Sequence, residues 1–396
     1  MDERVRKGLD GVVADETRLS TIDGEAGELT IGGFPLAELA GNASFEETVF
    51  LLYEDRLPTA SELDTFASEI AAVRTLHPAT RDVVEAAATS GVSAMDALRM
   101  GIASASLAGT DSAGDADSAG DIEAGQYAED DVERDALLAV AQTPGIVATY
   151  WRAAQNLDPV VARADLSHAG NYLHMLTGEE PSESEVRGLE TYLNTVVDHG
   201  FNASTFTARA IASTESDVIS AVTGAVGALK GPLHGGAPGP VLDMLDETHA
   251  ADDTEAVLRA KLDAGERLMG FGHRVYRVRD PRAAVLSEAA ESFYRAEDGG
   301  DEDFYDSARE TESVARDLLD ETKPDLDLET NVEFYTAVLL HGVGIPRELF
   351  SATFAVSRVG GWTAHCLEQL ADNRIVRPRS HYVGEYGRTW TPIDER

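Results

Sequence analysis

The chain has 396 residues, 43% of them hydrophobic, so it can bury a substantial core in two or three domains. Its 71 acidic and 32 basic residues give a formal net charge of −39, which argues against nucleic acid or an anionic membrane as a partner because both would repel it. Such self-repulsion is tolerable where salt shortens the Debye length to about 3 Å at 1 M. We therefore expect adaptation to high salt, with an ordinary acidic cytosolic enzyme as the alternative.

Location is also constrained by the sequence. No charged-then-apolar leader opens it, and the longest uncharged run, 136–151, is shorter than the roughly 20 apolar residues of a bilayer span. Cys366 is the single cysteine, which excludes an internal disulfide. We expect a soluble, cytoplasmic protein.

The first hundred residues carry helix signals. Ser44 with Glu47, and Thr59 with Glu62, form capping boxes, each before an apolar run. After the second box, apolar residues recur at helical spacing and are expected in the core: Leu63, Phe66, Ile70 and Val73. The small, acidic segment 108–121 buries too little apolar surface to fold and is expected to be an exposed loop.

Helices return in the middle of the chain. Ser182 caps one that runs to about Asp198, and the next begins near Asn202. His199 lies at the junction, where a histidine commonly interacts with the carboxyl-terminal helix dipole. Small residues line one face of the segment 220–229 and allow another helix to approach closely, either in a second subunit or within the same one.

The last third mixes apolar helices with a strongly acidic run. We expect an amphipathic helix over 257–268, and a solvated helix face or loop over 297–313. The final helical part begins at Pro346, in a first-turn position, and continues through Trp362. Arg358 interrupts its apolar stripe, and a charge in such a place needs a partner or a ligand.

The segment GFGHRVYRVRDPRA, 270–283, places His273 among arginines in an otherwise acidic chain. It indicates an anion pocket, because arginine suits carboxylates and phosphates, and a basic loop paired to local acids is the alternative. His234 has a similar glycine-rich setting in GPLHGGAPGP, and NVEFY surrounds Glu333. Two histidines, a carboxylate and separated arginines suit proton removal from a weak carbon acid beside a multiply charged anion. Zinc is a competing idea, but no HxxxH or HExxH pair is present, so no metal is expected.

Taken in order, these segments resemble the citrate synthase family. The GPLHGG histidine, the GHRVY and DPR segment and the NVEFY segment match its pattern, and so does the opening GLDGVVADETRLSTIDGEAGELTIGGFPLAELA. The later AVSRVGGWTAHCLEQ and DNRIVRPRS follow in sequence, so the resemblance covers nearly the whole chain. It implies an all-α fold with a large domain of 1–235 plus 345–396, a small inserted domain of 236–344, and an active site in the cleft between them. It also implies a homodimer in which helices near 220–229 pack across a twofold axis.

The resemblance implies a Claisen-type condensation of acetyl-CoA with oxaloacetate, followed by hydrolysis to citrate and CoA. Glu333 would remove the methyl proton, His234 would donate a hydrogen bond to the enolate oxygen, and His273 would protonate or polarise the keto carbonyl. The residues implied in oxaloacetate binding are His199, Arg282, Arg358 and, from the other subunit, Arg377. Arg277 would contact a CoA phosphate, acyl-CoA is a co-substrate, and no cofactor would be permanently bound.

Three departures keep alternatives open. Glu333 stands where the family usually has aspartate, Pro238 and Gly239 replace an asparagine-containing run, and KPDLDLET before Glu333 is acidic. One alternative is a 2-methylcitrate synthase using propionyl-CoA. The other is a paralog that binds a carboxylate or CoA without efficient turnover.

Overall fold

A computed structural model describes residues 5–9, 11–109, 129–235, 238–272, 276, 278–326 and 328–396. Within these ranges it contains sixteen α-helices and one small antiparallel sheet, which confirms the all-α class. The sheet consists of β1 (Ser20–Asp23), β2 (Glu28–Ile31) and β3 (Phe34–Pro35). The first eight helices are α1 (Leu36–Ala40), α2 (Phe45–Glu54), α3 (Ala60–Ala72), α4 (Pro78–Thr89), α5 (Ala94–Ala103), α6 (Glu129–Ala154), α7 (His168–Thr177) and α8 (Glu183–Val196). The others are α9 (Ala203–Ala212), α10 (Val218–Leu229), α11 (Pro238–His249), α12 (Thr254–Asp263), α13 (Pro281–Tyr294), α14 (Glu302–Thr322), α15 (Val332–Gly342) and α16 (Phe350–Ala371).

The capping residues begin their helices as expected. Ser44, Thr59 and Ser182 each accept a hydrogen bond from the backbone three residues on, and the glutamate there bonds back to the cap. Asn202 caps α9. The connection between α8 and α9 is therefore short, and it carries His199.

Two helix boundaries differ from the sequence predictions. The helix expected over 257–268 ends at Asp263, because Gly265 adopts a left-handed φ of 77° that terminates it. Most of the acidic run lies in the first half of α14, where its charged outer face is solvated as expected, while Phe304 and Tyr305 are buried on the inner face. Pro346 precedes a 3₁₀ turn, Arg347–Leu349, instead of lying in the first turn of α16. Most of segment 108–121 lies outside the described residues.

Helix α16 runs through the middle of the core. Its residues from Ala355 to Cys366 are all buried, and it packs against α6, α9 and α10. Phe66 and Ile70 of α3 are buried as predicted, while Leu63 and Val73 are half-buried. Among the helices in the described ranges, none has both the length and the apolar composition of a membrane span.

The small-residue face of α10 is packed within the chain, where Ala221 and Ala225 are fully buried. A Cβ added at Gly224 would lie 2.3 Å from Cδ1 of Ile211 on α9. Any larger residue at this position would require the Ile211 side chain to change its rotamer.

Candidate active site

His234 lies just beyond α10, in a turn closed by its amide bonding to the carbonyl of Gly231 at 2.9 Å. The ring Nε2 lies 2.8 Å from the Ser204 hydroxyl and 3.4 Å from the Ser204 amide. Because an amide can only donate, Nε2 accepts, and the proton of the neutral ring is on Nδ1. Trp362 of α16 fixes the serine by donating its indole N–H to Oγ at 3.0 Å.

The His234 imidazole is neutral at physiological pH. Burial lowers its pKa to about 4, and the positive charge of Arg358 contributes in the same direction. A neutral imidazole with its proton on Nδ1 is a hydrogen-bond donor that can stabilise an oxyanion.

His199 occupies the α8–α9 connection and contacts Tyr276. Its Nε2 is 3.1 Å from the Tyr276 hydroxyl, and the two rings meet edge to face at 5.8 Å. Burial raises the pKa of Tyr276 to about 12, although Arg282 opposes this, so the hydroxyl stays protonated. His199 therefore lies beside the segment that the sequence identified as an anion pocket.

Glu333 lies in the first turn of helix α15, and its amide is held by the capping residue. Asn331 accepts the Glu333 amide at 2.9 Å, while its own side chain donates to the carbonyl of Gly272 at 2.8 Å. A β-bridge between Phe271 and Thr330 joins the same two segments. These contacts fix the start of α15 against the glycine-rich segment.

Burial dominates the titration of Glu333. It raises the pKa of the carboxyl to about 7, with Arg282 opposing and Asp280 reinforcing the shift. A carboxyl that titrates near neutrality is matched to general-base catalysis at that pH.

Arg282, in the first turn of α13, is 5% exposed and pairs with Asp280. Its Nε donates to Oδ1 at 3.0 Å and its second nitrogen to Oδ2 at 2.8 Å, so one edge of the guanidinium is occupied by the cap of its own helix. Asp280 also accepts the amide of Val332 at 3.3 Å. This carboxylate therefore joins the starts of α13 and α15.

Arg358 is 1% exposed, and its Nε donates to the carbonyl of Val196 at 2.7 Å. Its guanidinium lies 4.6 Å from the centre of the Phe354 ring. Burial lowers its pKa to about 10, with Asp198 opposing, yet it remains charged at neutral pH. Among the described residues, no carboxylate forms an ion pair with Arg358.

The groups converge around Tyr192 of α8. Burial raises the pKa of this phenol, and Glu333, Arg358 and Arg282 are all close enough to contribute to the shift. His234 joins them through its interaction with Arg358. The structure thus brings together a neutral histidine, a half-buried carboxyl and two buried guanidinium groups from four parts of the chain.

Arg377 is not brought to this cluster within one chain. It is exposed, and its neighbour Val376 donates to the Ser213 hydroxyl at 3.0 Å, at the far end of α9 from Ser204. A helix of ten residues is about 15 Å long, which separates the two ends. His273 and Arg277 lie outside the described residues.

Sequence reasoning missed several residues that hold the site. Ser204, Trp362, Tyr276, Asp280 and Asn331 each contact or fix a candidate group. Trp362 and Tyr276 belong to segments that resemble the family, and Asp280 and Asn331 precede helices as capping residues do, so these signals were present. Ser204 carried no such signal. No three His, Cys, Asp or Glu side chains of the described residues are grouped as metal ligands.

A large cavity of about 1200 Å³ lies elsewhere, between α2, α3 and the end of α16. Carboxylates dominate its charged lining, among them Glu54, Glu62 and Glu368, and Arg18 is its one basic residue. Phosphates and dicarboxylates would be repelled there. The cluster around Arg358, by contrast, has the positive charge that an anionic substrate requires.

Comparison with known proteins places these features in a family. Residues 8–379 match the family model described as citrate synthase, C-terminal domain. A citrate synthase of Haloferax volcanii is 42% identical over 398 aligned positions that cover 100% of both chains, and a 2-methylcitrate synthase of Shewanella oneidensis is 37% identical, with 98% of this chain and 97% of that protein covered. The structure of a Thermoplasma acidophilum citrate synthase in ternary complex with carboxymethyl coenzyme A and oxaloacetate superposes with a TM-score of 0.82 at 28% identity. The match covers 99% of this chain and 100% of that one.

Proposed function

The chain belongs to the citrate synthase family, and on that premise we propose that it condenses acetyl-CoA with oxaloacetate and hydrolyses the product to citrate and CoA. It is an acyltransferase of the type that converts the acyl group into an alkyl group on transfer. The observation that carries the proposal for this site is Arg358, a buried guanidinium that no carboxylate of the described residues pairs with, beside a neutral histidine and a carboxyl that titrates near pH 7. A buried guanidinium of this kind, with no carboxylate bound directly to it, is suited to an anionic substrate.

The first step is enolisation of the thioester. The Glu333 carboxylate takes a proton from the acetyl methyl group, and the His234 Nδ1–H donates a hydrogen bond to the thioester oxygen as negative charge develops there. Ser204 and Trp362 keep the ring in the required tautomer. A neutral donor stabilises the enolate without needing a proton from solvent.

The second step forms the carbon–carbon bond. The enolate carbon attacks the keto carbon of oxaloacetate, and the keto oxygen receives a proton from His273. Arg282, Arg358 and His199 hold the oxaloacetate carboxylates and carbonyl during the attack. Water then cleaves the thioester, which releases citrate and the CoA thiol. Arg277 is our candidate for a CoA phosphate contact, and acyl-CoA is a co-substrate and not a resident cofactor.

The domain division implied by the resemblance is part of the proposal. His199, His234 and Arg358 belong to the proposed large domain of 1–235 and 345–396, and Arg282 and Glu333 to the proposed small domain of 236–344. The cluster thus draws its members from both parts. This supports an active site in the cleft between them.

We also propose that the protein is a cytoplasmic homodimer adapted to salt. Arg377 supports the dimer, because it lies far from the cluster in its own chain and would complete the site from a second copy. The buried free Cys366 is compatible with a reducing compartment. The net charge of −39 supports adaptation to salt.

Subunit complementation tests the role of Arg377. Arg377→Leu and Glu333→Gln are each expected to be inactive, but a refolded equal mixture should recover about a quarter of wild-type turnover, because half of the dimers are mixed and one of their two sites is complete. A mixture that stays inactive while native mass spectrometry, with one variant carrying a mass tag, shows mixed dimers would exclude a contribution from the second copy.

Free-thiol release with oxaloacetate and each acyl-CoA tests the reaction. We expect turnover with acetyl-CoA to exceed that with propionyl-CoA. The reverse preference would identify a 2-methylcitrate synthase, a possibility raised by the relative at 37% identity. No thiol release with either substrate would contradict the proposed function.

A further inference from the structure

The carboxylate of Asp198, next to His199, is wholly buried and bound from several sides. The Ser20 hydroxyl donates to Oδ2, and the ring Nε2 of His365 lies 3.1 Å from Oδ1. Ser20 also accepts the amide of Gly200 at 2.9 Å. The backbone is therefore fixed on both sides of His199.

Arg209 determines the tautomer of His365. One guanidinium nitrogen lies 3.2 Å from Nδ1 of the ring, and since arginine can only donate, the ring proton is on Nε2 and points to Asp198. Arg209 is itself 3% exposed and is bound by Glu368, by Gln369 at 3.0 Å and by Asp15 at 3.1 Å. Its orientation is fixed by acceptors on all of its nitrogens.

The same two residues also hold Phe201, two positions after His199. The Arg209 guanidinium lies 4.7 Å from the centre of the Phe201 ring, and the His365 ring meets that ring edge to face at 5.6 Å. On the other side, a Cβ added at Gly361 of α16 would lie 2.2 Å from the carbonyl oxygen of Val197. The connection between α8 and α9 is thus held in place by α16 and α9.

We propose that His365, Arg209 and Ser20 are positioning residues that orient His199 for oxaloacetate. They do not touch the substrate but fix Asp198, Gly200 and Phe201, which flank the histidine. The inference rests on the proposed role of His199 in oxaloacetate binding. A displaced binding group loses affinity even where it is chemically intact, because a misplacement of about 1 Å can cost about a hundredfold.

A double-mutant cycle with calorimetric titration of oxaloacetate tests this. His365→Leu should raise the oxaloacetate Kd about tenfold or more in the wild-type background, and His365→Gln, which keeps a donor for Asp198, should restore most of the affinity. In a His199→Ala background, His365→Leu should change Kd by less than about twofold, because the group it positions is gone. An equal effect in both backgrounds would show a general structural role and overturn the proposal.

His168→Leu is the matched control. His168 is also a fully buried histidine, on α7, and it contacts Phe45 at 4.7 Å between ring centres. Its loss should change the thermal midpoint without changing the oxaloacetate Kd. If the His365→Leu protein does not fold, Ser20→Ala replaces it in the cycle, with the same pattern expected at several-fold.

The outcomes separate this inference from the function on which it rests. If His199→Ala alone leaves the oxaloacetate Kd unchanged, the proposed role of His199 is wrong. If His199→Ala weakens binding but neither His365→Leu nor Ser20→Ala does, the role of His199 stands and the positioning network is wrong.

Discussion

Replacing Glu333 by glutamine should stabilise the protein while abolishing turnover. Glutamine keeps the size of the side chain and removes its charge. The carboxyl has a pKa of about 7 in the folded chain and an ordinary value of 4.5, chiefly because burial disfavours the charged form. The folded state therefore binds a proton more tightly than the unfolded state does, and ionised Glu333 costs stability.

The sign and size follow from proton linkage. Because the folded pKa is raised, wild type loses stability as pH rises from about 4.5 to about 7, and the full cost persists above that. A rise from 4.5 to about 7 corresponds to about 3 kcal/mol at about 1.4 kcal/mol per pKa unit. The variant should thus be about 3 kcal/mol more stable than wild type at pH 8, but only about 1 kcal/mol more stable at pH 5. For a chain of 396 residues, a stabilisation of about 3 kcal/mol should raise the thermal midpoint by about 4 °C.

Two measurements at each pH check this. Calorimetry gives the thermal midpoints of both proteins, and thiol release gives turnover, which the variant should lose by about a hundredfold or more because a general base is missing. In wild type, kcat/KM should fall as pH drops below about 7, when Glu333 becomes protonated.

Glu190→Gln is the control. Glu190 is a buried glutamate, and burial, reinforced by Glu46, raises its pKa to about 7 against the effect of Arg187. Its replacement should stabilise the protein in the same pH-dependent way but leave turnover unchanged. Wild-type turnover in Glu333→Gln would remove Glu333 from the mechanism, and equal midpoint shifts at pH 5 and pH 8 would refute the pKa argument.

Three further predictions follow from the same site and from the charge of the chain. Arg358→Leu should weaken oxaloacetate binding by about 2–5 kcal/mol, from thirtyfold to several thousandfold, because a buried charge pair with the substrate is lost, and it should leave acyl-CoA binding largely intact; calorimetric titration showing unchanged oxaloacetate affinity would contradict our assignment. Glu333→Asp should lower turnover, because the base is about 1 Å too short for a site adjusted to glutamate; faster thiol release would instead identify wild type as an impaired paralog. The thermal midpoint should rise as KCl increases from about 0.1 to 3 M, because salt screens the repulsion among the acidic groups; a midpoint that stays level would refute adaptation to salt.

Local rules predicted the parts of the fold that depend on neighbouring residues. The capping boxes at Ser44, Thr59 and Ser182 begin helices in the structure because cap and partner are three residues apart and need no tertiary contact. The end of α12 was missed because the apolar spacing continues to Leu268, while the left-handed Gly265 stops the helix first. Backbone conformation outweighed periodicity there.

The candidate site was only partly predictable, for a different reason. His234 and Glu333 could be named because each lies within a short motif. Their supports could not all be named, since Ser204 meets His234 across 30 residues and Trp362 meets Ser204 across 158. Packing of α9 against α16 creates these contacts, and no local pattern encodes that packing. Arg358 was an intermediate case, because its break in an apolar stripe indicated a ligand without indicating which one.

The hydrogen bond between Asn331 and Gly272 determines how the effects of substitutions in the two segments combine. One amide side chain holds the start of the helix that carries the proposed base and also the glycine-rich segment that leads to His273. A substitution on either side of the Phe271–Thr330 bridge should therefore disturb both the start of α15 and the glycine-rich segment. The effects of substitutions on the two sides should not be additive. The second substitution should destabilise the protein less than it does alone, because the first has already weakened the contact between the two segments.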